Sequence, residues 1–220
     1  MVVSQLFRLP FINQPVKYFA MQPTISILDL LAKTKRGPQV ILPKDAAALV
    51  GLTGVGPGWR CLDAGSGSGW LAAFIGNLIK PNGKLVSYER DERWFAVARD
   101  NITFCGLDDI VKIKHGDVLQ AAELKRAASL DLITLDIKEP ELAVPRAAKA
   151  LKPGGFLAVF SPHIEQQMKA TEAMRNAKFN QLKTVETIQR PWQVGPGPFT
   201  HPEISGLLHT GFWTVARKIK

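Results

Sequence analysis

Cysteine is scarce in this 220-residue chain: it has two, Cys61 and Cys105, both in apolar surroundings. Two such residues argue against a disulfide framework or a cysteine-ligated metal centre and suit a reducing, cytoplasmic setting. No stretch approaches the roughly 18 apolar residues of a membrane span, so no membrane partner is expected. Acids are missing from the start of the chain, where the first is Asp29. That basic segment is interrupted by Pro10, Pro15 and Pro23 and lacks the amphipathic run of a transit peptide. It reads as a short extension. Internal repeats and low-complexity tracts are absent.

What is present fits one globular domain, with 46% hydrophobic residues over a length that can bury a substantial core. The net charge of +9 is unevenly placed. Residues 1–50 carry six Lys/Arg against two acids, residues 161–220 eight against four, and the middle of the chain fourteen against thirteen. Basic ends around a nearly neutral centre point to a polyanionic partner.

The chain is organised around Trp59-Arg-Cys-Leu-Asp-Ala-Gly-Ser-Gly-Ser-Gly69, followed at once by an apolar segment with helical spacing, Trp70–Ile79. This reads as buried strand, tight glycine turn and helix N-terminus. Two ligands use that geometry, a dinucleotide and S-adenosylmethionine (SAM). The dinucleotide fingerprint needs a glycine at position 70, where this chain has Trp. The observed D-x-G-x-G-x-G resembles the loop of the class I SAM-dependent methyltransferases. A second buried strand, Lys84–Arg90, ends in Glu89, where a carboxylate grips a ribose diol.

The stretch Lys35-Arg-Gly-Pro-Gln-Val-Ile-Leu-Pro-Lys-Asp-Ala-Ala47 makes the likeness specific. It resembles the signature of the tRNA (adenine-N1)-methyltransferases, which act on the T-loop adenine at tRNA position 58 and, in archaeal members, also at 57. The ending Leu208-His-Thr-Gly-Phe-Trp-Thr-Val-Ala-Arg-Lys218 is similar to the same family's. The resemblance runs from about Met21 to the C-terminus. It implies an α/β, Rossmann-like class I methyltransferase with a seven-stranded, mostly parallel sheet and a C-terminal antiparallel hairpin, at about 182–190 and 208–217. Residues 1–36 would form a short N-terminal extension and helix, much reduced from the family's N-terminal β domain, and 37–220 the SAM-dependent domain. It further implies tRNA as partner and a homotetramer.

By the same resemblance the cofactor falls to Gln39, to Asp63, Gly65, Ser66, Gly67, Ser68, Gly69, Trp70 and Leu71, to Glu89 and Arg90, to Asp117 and Val118, and to Asp136. Asp117 ends a half-buried strand, Val111–Asp117. Asp136 closes the strand Leu130–Asp136 and matches the family's catalytic acid, although Lys138 replaces the first proline of the Asp-Leu-Pro-x-Pro ending. Substrate contacts fall to Lys35, Arg36, Leu42, Lys44, Arg190 and His209. Leu42 stands where many relatives carry Tyr or His.

Chemically, adenine N1 is already a nucleophile, so alignment and exclusion of water are the main demands. Methylation leaves positive charge on the base, which a carboxylate accepting from N6 would stabilise. A buried T-loop adenine must also be turned out of its stack, with phosphates held by cations. Lys33, Arg217 and Lys218 join the substrate-side cations as candidates for that holding. The loop 191–207 offers Trp192, Phe199 and His201 for stacking. Between Gly155 and the C-terminus the pattern predicts a strand at 156–160 after a Lys-Pro-Gly-Gly turn, and a helix opened by Ser161-Pro-His. A helix is also predicted over Glu141–Leu151, and one capped near Asp45. Two other readings stay open: a small-molecule, corrinoid-type SAM methyltransferase, and a non-catalytic tRNA-binding subunit.

Overall fold

A computed structural model describes residues 25–37, 39–195, 200–203 and 208–219. Most of the expected N-terminal extension, and Phe199, lie outside these residues. Two helices, α1 (Ile27–Leu31) and α2 (Pro43–Thr53), precede β1 (Arg60–Ala64). Helices and strands then follow as α3 (Trp70–Leu78), β2 (Lys84–Glu89), α4 (Glu92–Phe104), β3 (Val111–His115), β4 (Leu130–Leu135), α5 (Val144–Ala150), β5 (Leu151–Ser161), α6 (Ile164–Asn176) and β6 (Asn180–Glu186), with two 3₁₀ turns in place of a helix between β3 and β4. A two-stranded ribbon, β7 (Trp192–Gln193) and β8 (His201–Pro202), interrupts the path to β9 (Phe212–Arg217).

The main sheet has seven strands in the order β3-β2-β1-β4-β5-β9-β6. Strands β1 to β5 pair in parallel, while β9 runs antiparallel to both β5 and β6. The expected late antiparallel pair is therefore present, with β9 inserted between β5 and its own hairpin partner. Chain reversal at the β1–β4 boundary opens a crevice at the carboxyl ends of these strands, where open α/β sheets bind ligands.

Central strands are buried on both faces because helices cover each side. Alternation along β1 and β4 sends Cys61 and Leu132 into one apolar layer with Leu49, Ile75 and Ile102. It sends Leu62 and Ile133 into the other, with Val144, Ala147 and Met174. Each fully buried Leu or Ile contributes about 1.5–3 kcal/mol.

Three local expectations are corrected. The helix predicted over Glu141–Leu151 is a 3₁₀ turn at Pro140–Leu142 followed by the shorter α5, since Pro145 fits only a first helical turn. The Lys-Pro-Gly-Gly segment is a bulge inside β5: Leu130 pairs with Leu151 and Leu132 with Phe156, so the glycine pair absorbs the extra residues. Asp45 does not cap α2. The cap position is Leu42, with Pro43 at the first turn, and Asp45 is 1% exposed beneath the C-terminal strand. There it accepts from Lys44 Nζ at 2.8 Å and Thr210 Oγ1 at 2.8 Å, while its backbone oxygen accepts from Trp213 Nε1 at 2.9 Å.

Candidate active site

The glycine loop forms because the chain must turn sharply from β1 into α3. Gly69 has φ +80°, and a Cβ there would lie 3.2 Å from Ala98 Cα, so only glycine permits α4 to pack against the turn. The loop is tied across the sheet: Gly67 N–H donates to Glu89 Oε2 at 2.8 Å and Asp91 N–H to Glu89 Oε1 at 3.0 Å. Asp136 N–H donates to Ala64 O at 2.5 Å, locking the end of β4 to the end of β1.

These strand ends enclose a cavity of about 320 Å³. Of the residues that the resemblance assigns to the cofactor, Gln39, Gly65, Gly67, Glu89, Arg90, Asp117, Val118 and Asp136 line it. Additional walls come from Tyr88, Gly116 and Leu119, and from Ile137–Glu139 with Leu142. Tyr88 and Gly116 sit directly beside the predicted strand-end acids, so a wider reading of the strand tips finds them. Leu142 gives no signal in the sequence, because only the 3₁₀ turn brings it round.

Other predicted cofactor residues serve the loop from behind. Asp63 is 2% exposed and accepts from Ser87 Oγ at 2.5 Å and Thr134 Oγ1 at 2.6 Å. Ser66 shares a hydrogen bond with the same Ser87 hydroxyl. Ser68 and Leu71 are buried. Trp70 turns its indole outward from the cavity, donating from Nε1 to Thr34 Oγ1 at 3.0 Å beneath the Arg36 guanidinium.

Electrostatically the cavity is acidic. Burial, then the neighbouring Asp63 and Glu89 carboxylates, push Asp136 from the ordinary 3.8 up to about 7. Burial raises Asp63 to about 6, opposed by its two hydroxyl donors. Asp117 caps a 3₁₀ turn through Leu119 N–H at 2.8 Å and faces Arg90 at 3.8 Å. Capping and cavity-lining coexist at that residue.

The substrate-side assignments divide. Lys35 and Arg36 are exposed on the approach to Gln39. Lys44 is not free to hold phosphate: Nζ donates to Asp45, Thr187 O and Thr210 Oγ1 at 2.5–2.8 Å, because a cation is needed beside buried Asp45. Leu42 is half-buried and does not line the cavity. His209 stands at the same end of the sheet, between Glu186 Oε1 at 2.6 Å and Pro162 O at 3.0 Å. The Glu186 hydrogen bond, then that to Pro162, raises its pKa. Arg190 and Trp192 are exposed. Arg217 and Lys218 lie at the opposite end of the sheet, where Arg217 Nε donates to Gly154 O and Lys218 Nζ to Leu151 O.

Among the described residues no cluster of three or more His, Cys, Asp or Glu could hold a metal ion. The cavity fits SAM: a Cβ at Gly65 would come within 3.3 Å of Asp136 O and 3.5 Å of Glu89 Oε2, so bare backbone forms its floor. Its carboxylates suit a cationic sulfur and a ribose. Fold and cavity together define a class I SAM-dependent methyltransferase.

The particular family follows from comparison. The profile of the family described as "tRNA methyltransferase complex GCD14 subunit" matches residues 18–216, and the chain belongs to that family. It is 35% identical over 199 residues to a tRNA (adenine(58)-N(1))-methyltransferase TrmI of Thermus thermophilus, covering 90% of this chain and 76% of that protein. It is 30% identical to the tRNA (adenine(57)-N(1)/adenine(58)-N(1))-methyltransferase TrmI of Methanocaldococcus jannaschii, over 91% and 78% of the two chains. The crystal structure of tRNA (m1A58) methyltransferase TrmI from Aquifex aeolicus superimposes with a TM-score of 0.80 at 24% identity, covering 89% of this chain and 77% of that one.

Proposed function

We infer that this protein transfers a methyl group from SAM to N1 of a T-loop adenine in tRNA, at position 58. The observation that carries this reading is the Asp136 carboxylate on the wall of an acidic cavity floored by the glycine loop and Glu89. SAM, when bound, supplies a methyl group on a cationic sulfur. Glu89 and the Gly65–Gly67 backbone would hold it, with Asp117 at its far end.

Asp136 accepts a hydrogen bond from the adenine N6 amino group, orienting the ring and stabilising the positive charge that grows on the base. Only the ionised carboxylate does this fully, so the reaction favours a pH above about 7 in the free protein. Lys35, Arg36 and Arg190 hold phosphates, and His209, its pKa raised by the hydrogen bond to Glu186, stands at the same end of the sheet. The N-terminal segment 1–36 acts as a short extension to a catalytic domain over 37–220. The working form is a homotetramer in the cytoplasm.

The non-catalytic alternative is disfavoured by the joint presence of the glycine loop, Glu89 and Asp136. The small-molecule alternative has no feature of its own to support it. The test is methylation of an unmodified tRNA transcript against one carrying guanine in place of the T-loop adenines. Incorporation into the first alone supports the reading, and equal incorporation into both refutes it.

A further inference from the structure

Helix α4 packs a polar side chain where its apolar face should continue. Ala98, Asn101 and Ile102 are its buried residues, and Asn101 is 4% exposed. Burying an amide costs free energy unless its groups are paired, and here all are. Asn101 Nδ2 donates to Ser68 O at 2.8 Å, inside the glycine loop, and to Lys35 O at 2.8 Å. Its Oδ1 accepts from Lys35 N–H at 3.2 Å. The side chain thus satisfies both backbone groups of Lys35 as a neighbouring strand would, while gripping the cofactor loop with the remaining proton.

Two further contacts fix the same segment to the same loop. Trp70 Nε1 donates to Thr34 Oγ1, which donates onward to Leu31 O at 2.7 Å. The Arg36 guanidinium lies 5.4 Å from the centre of the Trp70 ring, a cation–π distance. Gly37 is buried, and a Cβ on it would meet Ser68 Oγ at 3.5 Å and the Trp94 ring at 3.6 Å. Residues 34–37 therefore form a basic strap lying flat on the glycine loop, with the Lys35 and Arg36 side chains exposed and Gln39 reaching the cavity wall.

We propose that Asn101 is a positioning residue that sets the register of the basic strap on the methyl-donor loop, so that RNA capture and donor binding depend on one buried amide. It touches neither ligand. This rests on the proposed function in one respect, the assignment of Lys35 and Arg36 to RNA phosphates.

The test uses the full chain with three variants. Asn101→Asp keeps the shape and the acceptor but removes both donated hydrogen bonds. Thr34→Val removes the Trp70 contact, together with the local hydrogen bond to Leu31 O, and leaves the Asn101 amide in place. Lys35→Ala/Arg36→Ala removes the strap cations, and with them the Arg36–Trp70 contact, but leaves the Asn101 clamp, whose hydrogen bonds use only backbone groups of Lys35 and Ser68. Calorimetry gives the SAM Kd, steady-state kinetics the KM and kcat, and hydrogen exchange the protection of the Lys35 amide.

With one buried and one part-buried hydrogen bond lost, Asn101→Asp should raise the SAM Kd and the tRNA KM each by about tenfold and speed Lys35 exchange, with kcat within about threefold. Thr34→Val should raise the tRNA KM by about threefold, and it carries the test if Asn101→Asp does not fold. The strap variant should raise the tRNA KM alone. A lower Tm with both binding constants and Lys35 exchange unchanged would reduce Asn101 to a core residue and overturn the proposal. If the strap variant left tRNA binding untouched while Asn101→Asp still weakened SAM, the clamp would stand and the RNA assignment would fall.

Discussion

Asp136→Asn exchanges a carboxylate for an amide of the same shape, and activity and stability should respond in opposite directions. The amide oxygen can still accept from N6, but it carries no charge to set against the base. Loss of a preorganised charge of this kind costs about 10²–10³ in kcat, or about 2.7–4 kcal/mol. Stability should rise. The shift from 3.8 to about 7 corresponds to at most about 4 kcal/mol by which the folded state disfavours the ionised form. The cavity opens to solvent, which screens the charge, so about 1–2 kcal/mol is expected at pH 8.

The sign follows from linkage. A carboxyl whose pKa is raised in the folded state binds its proton more tightly there. Its contribution is favourable below about 3.8 and is lost as pH climbs to about 7. The asparagine variant should therefore melt higher than the parent at pH 8 and no higher at pH 4. Methyl transfer to tRNA and thermal melts at both pH values decide the matter. Activity within threefold of the parent, or a variant less stable at pH 8, would refute the reasoning.

Other expectations follow from the same geometry. Asp45→Ala leaves Lys44 without its buried partner and should lower the unfolding free energy by about 3–5 kcal/mol in urea titrations. Gly69→Ala forces a side chain into a left-handed turn against Ala98, costing about 1–3 kcal/mol by the same measurement and weakening SAM in calorimetry. The pH profile of kcat/KM, which reports the free protein, should rise through about 7 as Asp136 ionises, and a profile flat from 6 to 8 would count against that role. Glu186→Gln should return the His209 pKa toward its ordinary value in an NMR titration.

Much of the site was legible because a doubly wound sheet collects its functional groups at one end of its strands. Gly65, Gly67, Glu89, Asp117 and Asp136 each lie at or just beyond the end of a predicted strand, and the fold brings those strand ends to one cavity. Pattern alone could not tell which loop residues face the cavity and which support it from behind. Trp70 and Ser68 share the motif with Gly67, yet the turn into α3 sends them to the far side. Charge was a poorer guide than position. Lys44 resembles an RNA contact in sequence, but its ammonium is taken up by Asp45, Thr187 O and Thr210 within the fold. Asn101 drew no notice in the sequence, because its partners lie sixty-six and thirty-three residues away.

The central claim is that a purine is methylated at a position chosen by the fold of an RNA. Its most direct measurement is to incubate the protein with labelled SAM and unmodified tRNA, digest the RNA, and map the labelled nucleoside. The account predicts 1-methyladenosine in the T-loop, abolished or sharply reduced with Asp136→Asn. Label on another base, or transfer only to free small molecules, would contradict it.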